Sequence, residues 1–232
     1  MSTAPARVAI VTGGSRGIGR QVVERLAADG HAVVVNYATN DAEGQAAAKE
    51  ASSAGGRGLA VRADVSDPAA VSALFDTAEE TFGGVDVVVH AAGIMSPPVP
   101  VADLDFEALD RVLRVNVRGT FAVAQQAARR LRRGGALITF STSVIGLALP
   151  GYGAYVASKG AVEGLTLILA RELRGRDVTV NTVAPGPTAT ALFLDGKDEE
   201  TVARMAAQPP LERLGLAIPS NRRDFCCGDL RF

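Results

Sequence analysis

Short apolar runs rich in β-branched residues alternate along this chain with longer stretches whose apolar positions recur at helical spacing. Residues 7–12 form a continuous apolar run suited to a buried strand. Residues 16–29 follow, with Ile18, Val22 and Leu26 on one helical face and Gly30 as the stop. The same reading predicts a second strand at 32–37, an Ala-rich helix at 42–54 closed by Gly55 and Gly56, and a third strand at 59–65. Ser66, Asp67 and Pro68 then supply capping side chains and a helix-opening proline. A fourth strand falls at 85–90, a long helix at 106–131 and a fifth strand at 136–140. A helix at 152–173 and a sixth strand at 178–183 complete the alternation.

Continuous apolar strands separated by helices predict a parallel sheet covered on both faces. That is a doubly wound, Rossmann-like α/β fold in a single domain. Beyond Pro185 the texture changes: proline, glycine and charge dominate 187–210, with one short helical candidate at 199–207. Residues 214–232 show neither strand alternation nor helical periodicity.

Composition narrows the function classes. A chain of 232 residues that is 47% hydrophobic can bury a sizeable core. Its 24 basic and 25 acidic residues give a formal net charge of −1, which argues against nucleic acid or an anionic membrane as partner. No apolar run approaches the ~20 residues that span a bilayer, and residues 1–7 do not read as the start of a secretion signal. The two cysteines, Cys226 and Cys227, are adjacent, poorly placed to bridge each other, and without partners for a metal site. A chain lacking a disulfide framework is expected in the cytoplasm.

Thr12-Gly13-Gly14-Ser15-Arg16-Gly17-Ile18-Gly19 stands where the first strand hands over to the first helix. That junction aims backbone N–H groups and the positive end of a helix at its ligand, which favours a pyrophosphate. No Gly-Lys-Ser/Thr follows, so the turn is not a mononucleotide phosphate loop. Dinucleotide folds usually carry an acidic residue at the end of the second strand for the adenosine ribose; here Asn36 stands there, followed by Tyr37. The missing carboxylate, with Arg16 available for a 2′-phosphate, favours NADP(H) over NAD(H).

Tyr155 and Lys159 are four residues apart in a helical stretch and share a face. A phenol titrates at about 10, and a neighbouring cation draws that value towards the working range of an acid–base catalyst. Ser143 lies just past the fifth strand, at the sheet end where ligands sit, and its hydroxyl could hold a carbonyl oxygen. Ser141 and Thr142 beside it read as an ordinary hydroxyl-rich strand exit.

Taken in order, these residues resemble the short-chain dehydrogenase/reductase family, in texture the 3-oxoacyl-thioester and general carbonyl reductases, from about residue 7 to 215. The matching elements are the turn at 12–19, Asp64 and Val65, Ala91-Ala92-Gly93, Asn116, Ser143, Tyr155 to Lys159, and Pro185-Gly186. The resemblance implies NADP(H)-dependent interconversion of a carbonyl compound and a secondary alcohol, with Tyr155 as general acid/base and Ser143 holding the carbonyl oxygen. It implies that Lys159 lowers the tyrosine's pKa and binds the nicotinamide ribose, and that Asn116 binds a water linking Lys159 to solvent. Asp64 and Val65 would meet the adenine, while Gly13, Ser15, Arg16, Gly17, Ile18 and Gly19 would cradle the phosphates. Ala91, Ala92, Gly93, Pro185, Gly186 and Thr188 would border the rest of the cofactor. Homo-oligomers are expected of the family. Two departures stand out. His90 occupies the place of the family's asparagine, where a structural effect is expected. After Gly215 the family's amphipathic helix and seventh strand are not legible, so the dinucleotide-binding unit is read as 1–215 and residues 216–232 as an atypical tail in which that strand is missing or altered. The competing reading is a nucleotide-binding regulatory protein, or one inactive through its C-terminus.

Overall fold

The computed structural model describes residues 6–217. Six segments form one sheet: β1 (Val8–Thr12), β2 (Ala32–Tyr37), β3 (Arg57–Arg62), β4 (Val85–His90), β5 (Leu131–Phe140) and β6 (Val178–Val183). All neighbours are parallel, in the order β3-β2-β1-β4-β5-β6. Parallel neighbours need crossovers. These come from α1 (Gly17–Ala28), α2 (Asp41–Ser53), α3 (Pro68–Phe82), α4 (Phe106–Leu113), α5 (Gly119–Arg130), the short α6 (Val144–Leu147) and α7 (Gly153–Glu172). The expected doubly wound fold is therefore present.

Every residue of β1, β2 and β4 is buried, which is why their sequences read as unbroken apolar runs rather than alternating ones. Successive side chains point to opposite faces. Ile10, Val34, Val88 and Leu137 pack on Leu74 and Phe75 of α3 and Val123 of α5. Ala9, Val11, Val33, Val35 and Val87 pack on Val22 and Leu26 of α1 and Ala47 and Ala51 of α2. Each fully buried large side chain contributes about 1.5–3 kcal/mol. Small residues on α2 let it lie close: a Cβ on Gly58 of β3 would fall 1.9 Å from the Ala48 carbonyl oxygen.

Three elements differ from the sequence reading. β3 ends at Arg62 rather than 65, because the Asp64 carboxylate accepts the Ser66 N–H (2.8 Å) and turns the chain towards α3. β5 starts at Leu131 rather than 136. Its pairing with β4 slips between Val85↔Leu131 and Val87↔Ala136, so 132–135 bulge out between two paired stretches. The long helix at 106–131 is α4 and α5 joined by a π-helical turn, Arg114–Arg118, in which the Gly119 N–H reaches back to the Arg114 carbonyl. One wide turn shifts the helical phase by a single residue, which apolar periodicity does not register.

After β6 the chain makes an excursion carrying α8 (Ala191–Leu194) and α9 (Glu199–Ala206), capped by the Thr190 hydroxyl and the Asp198 carboxylate. Its two ends meet: Gly215 donates to the Pro187 carbonyl and accepts from Ala189, both at 2.8 Å, in a parallel bridge with Thr188. The expectations about a seventh strand and an atypical tail fall, beyond Leu216 and Ala217, outside the described residues. Among the described residues no helix is long and apolar enough to cross a membrane.

Candidate active site

The order β3-β2-β1-β4-β5-β6 reverses direction between β1 and β4, and the crevice past the carboxyl ends of the strands opens there. Gly13 (φ 65°) leaves β1 in a conformation that side chains rarely adopt, and a Cβ on it would lie 2.8 Å from the Ala92 N. At Gly19 a Cβ would lie 2.2 Å from the Gly13 carbonyl oxygen, so no side chain fits where α1 folds back over its own turn. The turn is tied to the neighbouring strand by the Gly14 N–H, donated to the Asn36 carbonyl at 2.9 Å. Arg16 occupies the N-cap of α1 in extended conformation and makes no side-chain cap, and the first turn holds no acidic residue. The leading N–H groups of α1 are thus left without a carboxylate or hydroxyl partner from the protein, an arrangement suited to an anion. The Arg16 side chain is exposed beside them.

Asn36 is not presented to a ligand. It is 1% exposed, and its amide donates to the carbonyls of Val61 (3.3 Å) and Ala63 (3.0 Å), stapling β2 to the end of β3. Asn36, read from sequence at the cofactor's ribose end, turns its side chain into the sheet, where a short amide meets carbonyls before it meets solvent. Asp64 is exposed at the end of β3. Val65 beside it is buried against Gly119.

Beyond β4, Ala91 and Ala92 donate to the Thr12 carbonyl (3.1 Å) and hydroxyl (3.3 Å). His90 at the strand end joins two hydroxyls, with Nδ1 2.7 Å from Thr12 Oγ1 and Nε2 3.0 Å from Thr120 Oγ1. The Thr120 hydroxyl donates its only proton to the Asn116 carbonyl at 2.5 Å. It must therefore accept from His90, which puts the ring proton on Nε2 and makes Nδ1 the acceptor of the Thr12 proton. The chain Ala92 N–H, Thr12, His90, Thr120, Asn116 carbonyl is ordered end to end. Burial, with Lys159 adding repulsion, pushes His90 down to about 3, so the ring is neutral.

Asn116, in the π turn, is 1% exposed. Its Oδ1 accepts from the Ile94 N–H (2.8 Å), and its Nδ2 donates to the Ile94 carbonyl (2.8 Å) and to Ser158 Oγ (3.0 Å). The amide thus clamps the loop after β4 to α7. Gly93 leaves room for this: a Cβ there would lie 3.3 Å from Asn116 Oδ1 and 3.5 Å from Lys159 Nζ.

Tyr155 and Lys159 share the inward face of α7. Lys159 is 7% exposed, donates to the Phe140 carbonyl at 2.8 Å, and holds its ammonium 5.8 Å from the centre of the Tyr155 ring. Burial lowers its pKa to about 8. The Tyr155 phenol, by contrast, is pushed above its ordinary value by burial, with Thr142 hydrogen-bonding it in the opposite sense and Tyr152 adding to the rise. The cation was expected to draw the phenol down. Here desolvation of the phenol prevails. Thr142 is the residue that sequence reasoning passed over. Its neighbour Ser141 donates to Glu163 (2.5 Å), whereas Thr142 lines the cleft with the phenol and its hydroxyl accepts the Val144 N–H (3.3 Å); only the turn after β5 separates the two roles. Ser143 lines the same space, held by its N–H to the Pro185 carbonyl (3.0 Å).

These groups converge on one open cleft of about 140 Å³, bordered by Ile18, Ala91, Gly93, Ser143, Tyr155, Lys159, Pro185, Gly186 and Thr188, with α8 and α9 on its outer side. Phenol, ammonium and hydroxyls beside an anion-ready helix start at the switch point of a doubly wound sheet define a dinucleotide-dependent oxidoreductase site.

Comparison with known proteins agrees. The family model described as Enoyl-(Acyl carrier protein) reductase matches residues 13–219. The chain is 45% identical over 218 residues to a short-chain type dehydrogenase/reductase of Picea abies, covering 90% of this chain and 80% of the relative. It is 43% identical over 224 residues to an NADPH-dependent aldehyde reductase-like protein, chloroplastic, of Arabidopsis thaliana, covering 91% and 83%. A short-chain dehydrogenase from Burkholderia cenocepacia J2315, solved in complex with NADP, superposes with a TM-score of 0.85 at 36% identity, covering 92% of this chain and 86% of that one. This chain belongs to the short-chain dehydrogenase/reductase family.

Proposed function

We propose that the protein is an NADP(H)-dependent oxidoreductase that interconverts a carbonyl compound and its alcohol by hydride transfer. The observation that carries this reading is the convergence of Tyr155, Ser143 and Lys159 on one cleft with the uncapped start of α1. Relatives named NADPH-dependent aldehyde reductases, and a structural neighbour solved with NADP, support the choice of cofactor.

The residues present fit that cofactor: free N–H groups at the first turn of α1, no carboxylate at the end of β2, and the exposed Arg16 guanidinium. Gly13, Ser15, Arg16, Gly17, Ile18 and Gly19 would hold its phosphates. Asp64 and Val65 would flank the adenine, with Asn36 acting through the carbonyl that anchors the turn. Ala91, Ala92, Gly93, Lys159, Pro185, Gly186 and Thr188 would border its nicotinamide half. When bound, the reduced nicotinamide supplies the hydride. Tyr155 donates a proton to the carbonyl oxygen, which the Ser143 hydroxyl orients and stabilises as charge develops. Thr142, which lines the cleft with Tyr155, acts to lower the phenol's pKa against the effect of burial. Lys159 adds a positive charge beneath the ring, and Asn116 fixes the loop after β4 against α7.

We read the dinucleotide-binding unit as residues 1–215, closed by the bridge between Thr188 and Gly215, with 216–232 apart from it. A homo-oligomer is supported by the exposed Phe121 on α5 and Ile168 on α7, which flank an apolar depression with Leu165 and Ala128. A cytoplasmic location rests on the cysteine content, two adjacent residues in 232.

The decisive experiment is Tyr155→Phe, followed by the absorbance of the reduced nicotinamide with a panel of aldehydes and ketones. Loss of the proton donor should lower kcat by about 100-fold or more, with NADPH affinity kept. Undiminished turnover would remove Tyr155 from its role.

A further inference from the structure

The cleft borders the reacting groups on one side and the excursion on the other. Its apolar wall is built from Met95, Leu147 and Leu149 together with Leu192 and Phe193 of α8 and Met205 of α9. Among the described residues the only charged side chain lining it is Lys159, which is already hydrogen-bonded to the Phe140 carbonyl at the inner end. Lys197 on the excursion does not line the cleft. Its ammonium donates to the Phe193 carbonyl at 2.5 Å and lies 4.9 Å from the ring of that residue. The polar side chains of the excursion that line it, Thr188, Thr190 and Gln208, are neutral, and burial raises the pKa of the Tyr152 phenol, which keeps it neutral too.

We propose that this site selects neutral, apolar carbonyl compounds, aromatic or alkyl aldehydes and ketones, and rejects those that carry a carboxylate or phosphate. The proposal rests on the reductase reading above. A substrate carbonyl must face Tyr155 and Ser143, so its remaining substituents lie along the apolar wall. There, among the described residues, an anionic group loses water without gaining a cation, which is the costly case of charge burial. An alkyl or aryl group gains apolar contact instead, about 0.8 kcal/mol per methylene in general terms. The two methionines in the wall are unbranched and polarizable, so the cleft accepts apolar groups of differing outline.

The test uses the full chain with NADPH and two aldehydes of similar size and carbonyl reactivity, 4-ethylbenzaldehyde and 4-carboxybenzaldehyde. The neutral compound should be reduced with a kcat/KM at least ~100-fold higher. Leu192 is 43% exposed and stands outside the catalytic machinery, so Leu192→Arg should fold and should narrow that ratio about tenfold or more by giving the carboxylate a partner. A ratio near one, or a preference for the acid, overturns the selectivity. A ratio that Leu192→Arg leaves unchanged overturns the assignment of this wall as its cause. Absence of turnover with every carbonyl compound tried, despite NADPH binding, overturns the reductase reading itself and is distinguishable from either result.

Discussion

Replacing His90 with leucine removes the centre of the ordered chain that runs from Ala92 to the Asn116 carbonyl. In the native protein the imidazole accepts from Thr12 Oγ1 at 2.7 Å and donates to Thr120 Oγ1 at 3.0 Å, at a site only 3% exposed. Leucine can do neither, so the Thr12 proton and one Thr120 lone pair are left buried without partners. At about 1–3 kcal/mol for each such group, the loss should be about 2–6 kcal/mol near neutral pH. A second signature separates this from a mere packing defect. The folded pKa of His90 is about 3 against 6.5 for the free side chain. Below 6.5 the unfolded chain therefore takes up a proton that the folded chain does not, and stability contributed by the neutral ring falls as pH drops from 6.5 towards 3. The slope is about 1.4 kcal/mol per pH unit, or about 2 kcal/mol by pH 5. His31, also lowered by its partial burial, contributes equally to both proteins and cancels. Urea unfolding of both proteins near neutral pH and at about pH 5 gives the two numbers. His90→Leu should be the less stable protein near neutrality, and should lose less on acidification. A variant with the native acid dependence, or within about 0.5 kcal/mol of the native stability, would refute the ordered chain.

Three further outcomes are expected. Lys159, lowered from 10.5 to about 8, carries its charge below that pH, so the rate of carbonyl reduction should fall as pH rises through about 8. Burying the ammonium also means that the stability linked to this group rises between about 8 and 10.5, and a flat rate profile across that window would exclude a role for the charge. Arg16→Ala should weaken NADPH by about 10-fold or more while leaving NADH nearly unchanged, as read by fluorescence titration; equal losses would sink the 2′-phosphate assignment. Gly19→Ala places a Cβ 2.2 Å from the Gly13 carbonyl oxygen. It should cost about 1–3 kcal/mol of stability and displace the turn enough to abolish NADPH binding, whereas Gly160→Ala, with nothing within 4 Å, should be tolerated. Native nucleotide affinity in Gly19→Ala would show that the turn does not need this close approach.

Much of the fold could be read along the chain, because strands buried on both faces must be apolar at every position and the helices that cover them must be apolar on one. β1, β2, β4 and β6 fall within a residue or so of their expected bounds. The places that escaped depend on partners distant in sequence. The bulge in β5 exists because its first residue pairs with Val85 and its later ones with Val87 onward. The early end of β3 is set by one carboxylate turning back on Ser66.

The candidate site divides in the same way. The residue types and their order along the chain determined that a phenol, an ammonium, a hydroxyl and a glycine turn would meet at the carboxyl edge of one sheet, since each follows a strand and parallel strands end together. Which atom each would bond was decided only by the tertiary structure. Asn36 turned into the sheet to meet Val61 and Ala63, and Lys159 found the Phe140 carbonyl. Thr142, not named among the site residues by sequence, came to line the cleft with the phenol. His90 became the link between two hydroxyls 108 residues apart, at Thr12 and Thr120. Periodicity reports which face a residue takes; hydrogen bonds at the site are settled by ångström-scale distances between segments that only folding brings together.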